Sequence, residues 1–129
     1  LLIRCFIDKG YLDKVTYNLL SNAFKYTPSG GKVTFSVTVD EAKKQLVISV
    51  ADSGVGIPKE KRNELFKRFM QSSFSGSSVG VGLHLTHELV CVHKGTIVYT
   101  ENEGGGSIFT VSLPTDISVY EEKDFLIPP

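Results

Sequence analysis

A period of two governs the middle of this sequence. Val33, Phe35, Val37 and Val39 alternate with polar residues, and Leu46, Ile48 and Val50 repeat the pattern after a charged turn over residues 40–44. Successive side chains of a strand point to opposite faces, so the two runs predict a β-hairpin with one buried face. That face needs cover. Upstream, Leu12, Val15, Leu19, Ala23 and Tyr26 share one side of a helix predicted from a cap at Asp8 to about Tyr26. Thr27-Pro28-Ser29-Gly30-Gly31 ends it, because proline and glycine resist helix continuation.

The remaining segments follow the same logic. Residues 2–7 predict a short strand, and residues 59–70 a helical stretch with a basic outer face. Residues 72–79 are rich in serine and glycine and uncharged, which predicts mobility. A helix is expected over about 81–93, then a hairpin pairing 96–100 with 107–113. The order β-α-β-β-α-α-β-β predicts helices on one face of a mixed sheet. Residues 1–114 form the expected domain. The acidic, then apolar, tail over 115–129 reads as a linker to a following domain.

Composition narrows the class by exclusion. Charges balance to a formal net of zero, so nothing points to nucleic acid or an anionic membrane. No apolar run reaches the roughly 20 residues that span a bilayer. The first residues lack a signal-peptide layout, and the chain opens on Leu1 rather than Met, which predicts a piece of a longer protein. Cys5 and Cys91 sit among apolar residues without metal-ligand spacing, and predict small buried hydrophobes in a cytosolic, reducing compartment. His84, His87 and His93 lack a carboxylate-rich partner motif, and structural or surface roles are expected.

Three features bear on chemistry. Asn18, Asn22 and Lys25 lie within a stripe of roughly 60° on the first helix, bordering its apolar face. They fit either a solvated polar stripe or a site where amide oxygens meet a hard cation and lysine meets phosphate. Asp52 shares the parity of Leu46, Ile48 and Val50 and should turn inward where its strand ends. A buried carboxylate needs donors; the amino group of adenine is one, and a turn cap is the other reading. Gly54 and Gly56 follow at once, and Gly80-Val81-Gly82 opens the next helix. Free N–H groups at a helix start suit an anion, although a helix start without a ligand looks the same.

Taken in order, these pieces resemble the ATP-binding catalytic domain of sensor histidine kinases. The stretch from Asp13 to Pro28, with Asn18-Leu19-Leu20-Ser21-Asn22-Ala23-Phe24-Lys25-Tyr26-Thr27 inside it, resembles the N box. Asp52-Ser53-Gly54-Val55-Gly56-Ile57 resembles the first glycine box, and Leu65-Phe66-Lys67-Arg68-Phe69 the F box. Gly80-Val81-Gly82-Leu83 is similar to the second glycine box, and Gly104-Gly105-Gly106-Ser107 with Phe109-Thr110-Val111 to the closing hairpin. The resemblance implies the Bergerat fold, an α+β (α/β two-layer) sandwich with helices packed on one face of a mixed, mostly antiparallel sheet, and Mg-ATP as ligand. It implies that Asn22 holds magnesium (Mg2+), that Asn18 and Lys25 meet the phosphates, and that Tyr26 lies near the base. Asp52 would bind the adenine amino group. Gly54, Gly56 and Ile57 would form the adenine wall, and Gly80, Val81, Gly82 and Leu83 would border the triphosphate. Phe66 and Phe69 would anchor a lid, or serve equally as core residues.

The resemblance departs at the second glycine box, where Ser78 and Val79 stand in place of a glycine and a hydroxyl residue. A lid contact to phosphate is therefore expected to be absent. Hydrolysing relatives carry glutamate where this chain has Asn18, and an amide is no general base, which favours a kinase. The acceptor histidine is expected on a separate dimerisation and histidine phosphotransfer domain, with a response regulator or receiver domain downstream. The implied location is the cytoplasmic portion of a membrane-anchored bacterial kinase. The fragment alone is expected to be monomeric, to bind ATP and not to phosphorylate itself. A kinase with a serine acceptor and a non-catalytic interaction module are the alternatives.

Overall fold

Four-residue spacing of Val15, Leu19 and Ala23 buries one flank of a helix, and the structure sets that flank on the alternating strands. The computed structural model describes residues 9–66 and 79–115. In chain order these form α1 (Lys9–Tyr26), β1 (Val33–Asp40), β2 (Gln45–Asp52), a 3-10 helix (Lys59–Glu64), α2 (Val79–Val92), β3 (Thr96–Glu101) and β4 (Ser107–Pro114). The strands make one sheet in the order β1-β2-β4-β3, antiparallel at every described pair. The helices pack on each other, α1 over β2 and α2 beside β3.

Register explains the core. Leu46 faces Leu113, Ile48 faces Val111 and Val50 faces Phe109, and all six side chains are buried under the helices. Tyr99 packs edge-on against Phe109, with ring centroids 5.4 Å apart. Truncating a side chain as enclosed as Leu19 costs about 2–5 kcal/mol, the lost transfer energy plus the cavity left behind.

Each connection has a local cause. The Thr27 hydroxyl donates to Ala23 O at 2.7 Å, closing the end of α1. The β1–β2 turn is held by Lys43 N–H donating to Asp40 Oδ1 at 3.1 Å, with Lys44 at a φ of 54°. After α2, Lys94 turns left-handed at a φ of 59°, and Lys94 N and Gly95 N donate to Cys91 O and Val90 O. Those two bonds make a Schellman cap, which reverses the chain into β3.

The structure corrects several expectations. Phe35 and Val37 do lie on the helix-bearing face, opposite Val50 and Ile48, but they are 44% and 48% exposed. Their strand is at the end of the described sheet, and α1 lies mainly over β2, so parity alone does not bury them. Of the helical stretch expected over 59–70, Lys59–Glu64 form a 3-10 helix and residues 67–70 lie outside the described residues, and α2 begins two residues earlier than expected, at Val79. Cys91 is exposed on α2, not buried. The expected first strand over 2–7, Cys5, Phe69, the serine-rich segment over 72–78 and the tail beyond Thr115 lie outside the described residues.

Candidate functional site

Asp52 ends β2 on the buried side, as the parity of its strand requires, and is only 4% exposed. A carboxylate so enclosed must be satisfied. Its Oδ1 accepts from Gly54 N at 2.9 Å and from Ser107 N at 3.2 Å. Among the described residues Oδ2 accepts nothing. The backbone is held as well, since Asn102 Nδ2 donates to Asp52 O at 2.8 Å. One oxygen is therefore tied to the protein, and one remains for a donor from outside.

Two glycines let the chain close around this carboxylate. A Cβ on Gly54 would overlap the carbonyl of Tyr26, and a Cβ on Gly106 would overlap the carbonyl of Asp52. Gly106 also has a φ of 105°, which L side chains rarely adopt. The end of α1, the end of β2 and the β3–β4 turn thus meet at Asp52.

The loop after Asp52 is fixed at its far end. Ile57, buried among apolar neighbours, donates its N–H to the Tyr99 hydroxyl at 3.2 Å, and its carbonyl accepts from Arg62 Nε at 3.0 Å. The Arg62 guanidinium covers the Tyr99 ring, 5.2 Å from its centroid. Gly56, between these anchors, has a φ of 73°.

The helix stripe forms the other side of the site. Asn18 Nδ2 donates to the Thr86 hydroxyl at 3.3 Å, which joins α1 to α2. Asn22 Oδ1 is buried without a hydrogen-bond partner among the described residues. An orphaned amide oxygen is costly to bury, and a hard cation is the kind of group that satisfies it. The residues present therefore fit a magnesium ion. Lys25 is exposed in the last turn of α1, its Nζ 5.8 Å from the centroid of the half-buried Tyr26 ring. Leu83 is buried in the α1–α2 layer, whereas Gly80, Val81 and Gly82 fall inside the first turns of α2.

Phe66 packs as a partly buried member of the core, stacked on His87 at 5.5 Å and edge-on to Phe109 at 6.3 Å. The histidines take structural places: His84 Nδ1 lies 3.1 Å from Phe66 O, and the buried His93 has Nδ1 2.8 Å from Leu89 O. Among the described residues no cluster of three metal-ligating side chains occurs.

Sequence reasoning missed four residues. Ser107 and Asn102 bind Asp52, Tyr99 holds the loop, and Thr86 holds Asn18. Thr86 had a signal, since it interrupts an apolar stripe of Leu83 and Val90 at helical spacing. Ser107 had one too, sharing the inward parity of Phe109, Val111 and Leu113. Nothing local marks Asn102 or Tyr99, whose partners lie 50 and 42 residues away.

Residues 7–117 match the family described as histidine kinase-, DNA gyrase B-, and HSP90-like ATPase. Histidine kinase P4 of Formosa agariphila is 40% identical over 132 residues, covering 96% of this chain, which spans only 9% of that relative. The mycobacterial sensor histidine kinase MprB superposes with a TM-score of 0.73 at 28% identity, over 85% of this chain and 76% of that one. Full-length ShkA, solved in complex with AMPPNP, superposes with a TM-score of 0.71 at 27% identity, over 83% of this chain and 22% of that one.

Proposed function

This chain belongs to the histidine kinase-, DNA gyrase B-, and HSP90-like ATPase family, and from that premise we propose that it binds Mg-ATP and passes the γ-phosphate to a histidine on another domain. The observation that carries the reading is the Asp52 carboxylate, buried with Oδ1 tied and Oδ2 left open. Oδ2 accepts a bond from the amino group of adenine. Guanine presents a carbonyl at that place and is repelled. Gly54, Gly56 and Ile57 shape the wall for the base, and Tyr26 lies at its edge. The ShkA structure, with an ATP analogue in a similar fold, supports the same ligand.

Asn22 Oδ1 holds the magnesium, which supplies charge neutralisation to the phosphates when bound. Asn18 and Lys25 act from the same stripe of α1, Lys25 as a cation for phosphate oxygens. Gly80, Val81, Gly82 and Leu83 border the triphosphate from the start of α2. In the transfer, an imidazole nitrogen of the acceptor attacks the γ-phosphorus. The bond to the bridging oxygen breaks, and ADP leaves with the electron pair. The protein contributes position and electrostatics. Asn18 has no useful basicity, so water in the site is not activated.

The acceptor is a histidine of a dimerisation and phosphotransfer domain of the same kinase, and the phosphoryl group then passes to a response regulator or receiver domain. The domain works in the cytoplasm, as part of a membrane-anchored sensor. No described helix is long and apolar enough to cross a membrane.

Calorimetric titration with ATP and GTP, with and without magnesium, tests the reading. Magnesium-dependent binding of ATP in preference to GTP is expected. No ATP binding by the folded chain at millimolar ligand would overturn it.

A further inference from the structure

Thr86 occupies a place where a threonine needs a reason. It is 0% exposed, in a stripe with Leu83 and Val90, each 1% exposed. Valine has the same shape and no polar atom to satisfy, and a buried hydroxyl is costly unless bonded. The bond it makes across the helix pair is to Asn18, whose Nδ2 donates to Oγ1 at 3.3 Å.

A hydroxyl can accept from an amide N–H or donate to an amide oxygen; in the structure that of Thr86 accepts from Nδ2, and this orientation sets what Asn18 shows to the site. A carboxamide has donors at one end and an acceptor at the other, and its terminal torsion is broad and roughly two-fold. With Nδ2 committed to Thr86, the oxygen is turned to the other side. Among the described residues Asn18 Oδ1 accepts no bond, and on the same stripe, one helical turn on, Asn22 Oδ1 is buried and unpartnered. Two amide oxygens on adjacent turns are a surface for a cation or its water shell. Were the amide reversed, its N–H groups would face that cation and repel it.

We propose that Thr86 is a positioning residue for the nucleotide site: it locks the Asn18 carboxamide with its oxygen beside that of Asn22, so that both meet the magnesium shell. The proposal rests on the Mg-ATP reading above. It assigns Asn18 to the cation as an oxygen donor, where the family resemblance assigns it to the phosphates.

The test is calorimetric titration of ATP, with and without magnesium, into the unmutated chain and into Thr86→Val, Thr86→Ser, Asn18→Ala and the Thr86→Val/Asn18→Ala double variant. Thr86→Val should lose about three- to tenfold of affinity in the presence of magnesium, the worth of one positioned hydrogen bond. Its magnesium-free affinity should not change. Thr86→Ser should restore the magnesium effect, and the double variant should be no weaker than Asn18→Ala. Thermal unfolding accompanies each titration, and Thr86→Ala replaces the valine variant should that one not fold. The proposal is overturned if Thr86→Val binds as the unmutated chain does, if it weakens ATP equally with and without magnesium, or if the two substitutions add. Failure of the unmutated, folded chain to bind ATP would instead overturn the Mg-ATP reading and this proposal with it. The unmutated titration distinguishes the two failures.

Discussion

The two ends of the site are built on opposite plans. At Asp52 the protein supplies nearly every partner: Oδ1 takes two backbone N–H groups, the carbonyl takes Asn102, and the following loop is pinned by Tyr99 and Arg62. At the helix stripe it withholds them, and Asn22 Oδ1 stays buried and unpaired. A group that is tied down in advance loses no further freedom when a ligand arrives, so the Asp52 end suits a rigid, neutral base. An unpaired oxygen carries a desolvation penalty until a cation relieves it, so the Asn22 end couples binding to the metal. Substitutions that break the ties at the Asp52 end should disturb fold and ligand together, whereas those that spare the ties, or that fall at Asn22, should separate the two.

The sharpest break in this contrast is Gly106→Ala. The added Cβ would overlap the carbonyl of Asp52, and the φ of 105° disfavours any L side chain. We expect a loss of roughly 3 kcal/mol or more, from strain and from displacement of the carboxylate. For a domain of this size each kcal/mol lowers the melting temperature by about 4–8 °C, so the drop should exceed about 10 °C. A calorimetric melt checks it, and an unchanged melting temperature would show that the turn relaxes without moving Asp52.

Asp52→Asn comes next and probes the ligand more than the fold. The amide oxygen can still accept from Gly54 and Ser107, but the other end becomes a donor facing the adenine amino group. ATP affinity should fall about 100-fold, the range of a hydrogen bond to a charged group, while stability changes little. Titration with ATP reads this, and retained affinity would remove Asp52 from base recognition.

Asn22→Ala should then sharpen the comparison by its sign. Removing an unpaired buried oxygen relieves a penalty of about 1–3 kcal/mol, against the small void left. The melting temperature of the free chain should hold or rise, while magnesium loses its effect on ATP binding. Destabilisation together with an intact magnesium response would show that Asn22 is structural.

How far the sequence displayed this contrast depends on the range of the interactions. Parity placed Asp52 inward, and helical spacing put Asn18 and Asn22 on one stripe, because both follow from a single element's geometry. Strand runs around 33–39, 46–50 and 107–113 were legible for the same reason. Burial of β1 was not, because alternation says which face a residue takes but not whether the strand sits at the centre or the edge. The partners of Asp52 were hidden for a related reason. Ser107 and Asn102 are 55 and 50 residues away, and only the β2–β4 register brings them near. The start of α2 was misplaced because glycines at 80 and 82 read as a boundary, whereas the helix runs through them at a cost of about 1 kcal/mol each.

Tyr99→Phe makes the smallest change and tests whether the well-tied end is rigid by design or merely well packed. The ring would remain on Phe109 and under Arg62, and only the hydroxyl that accepts the Ile57 N–H would go. Losing one such acceptor should cost about 1 kcal/mol of stability. If the pinned loop matters to the base, ATP affinity should fall by a further factor of about three, with the magnesium effect untouched. The two ends then act as separable modules, one reporting on fold and base, the other on metal. A magnesium response that shrinks in Tyr99→Phe would join them: the loop after Asp52 and the stripe on α1 would have to move as one body, and the Asn22 effect would no longer isolate the cation.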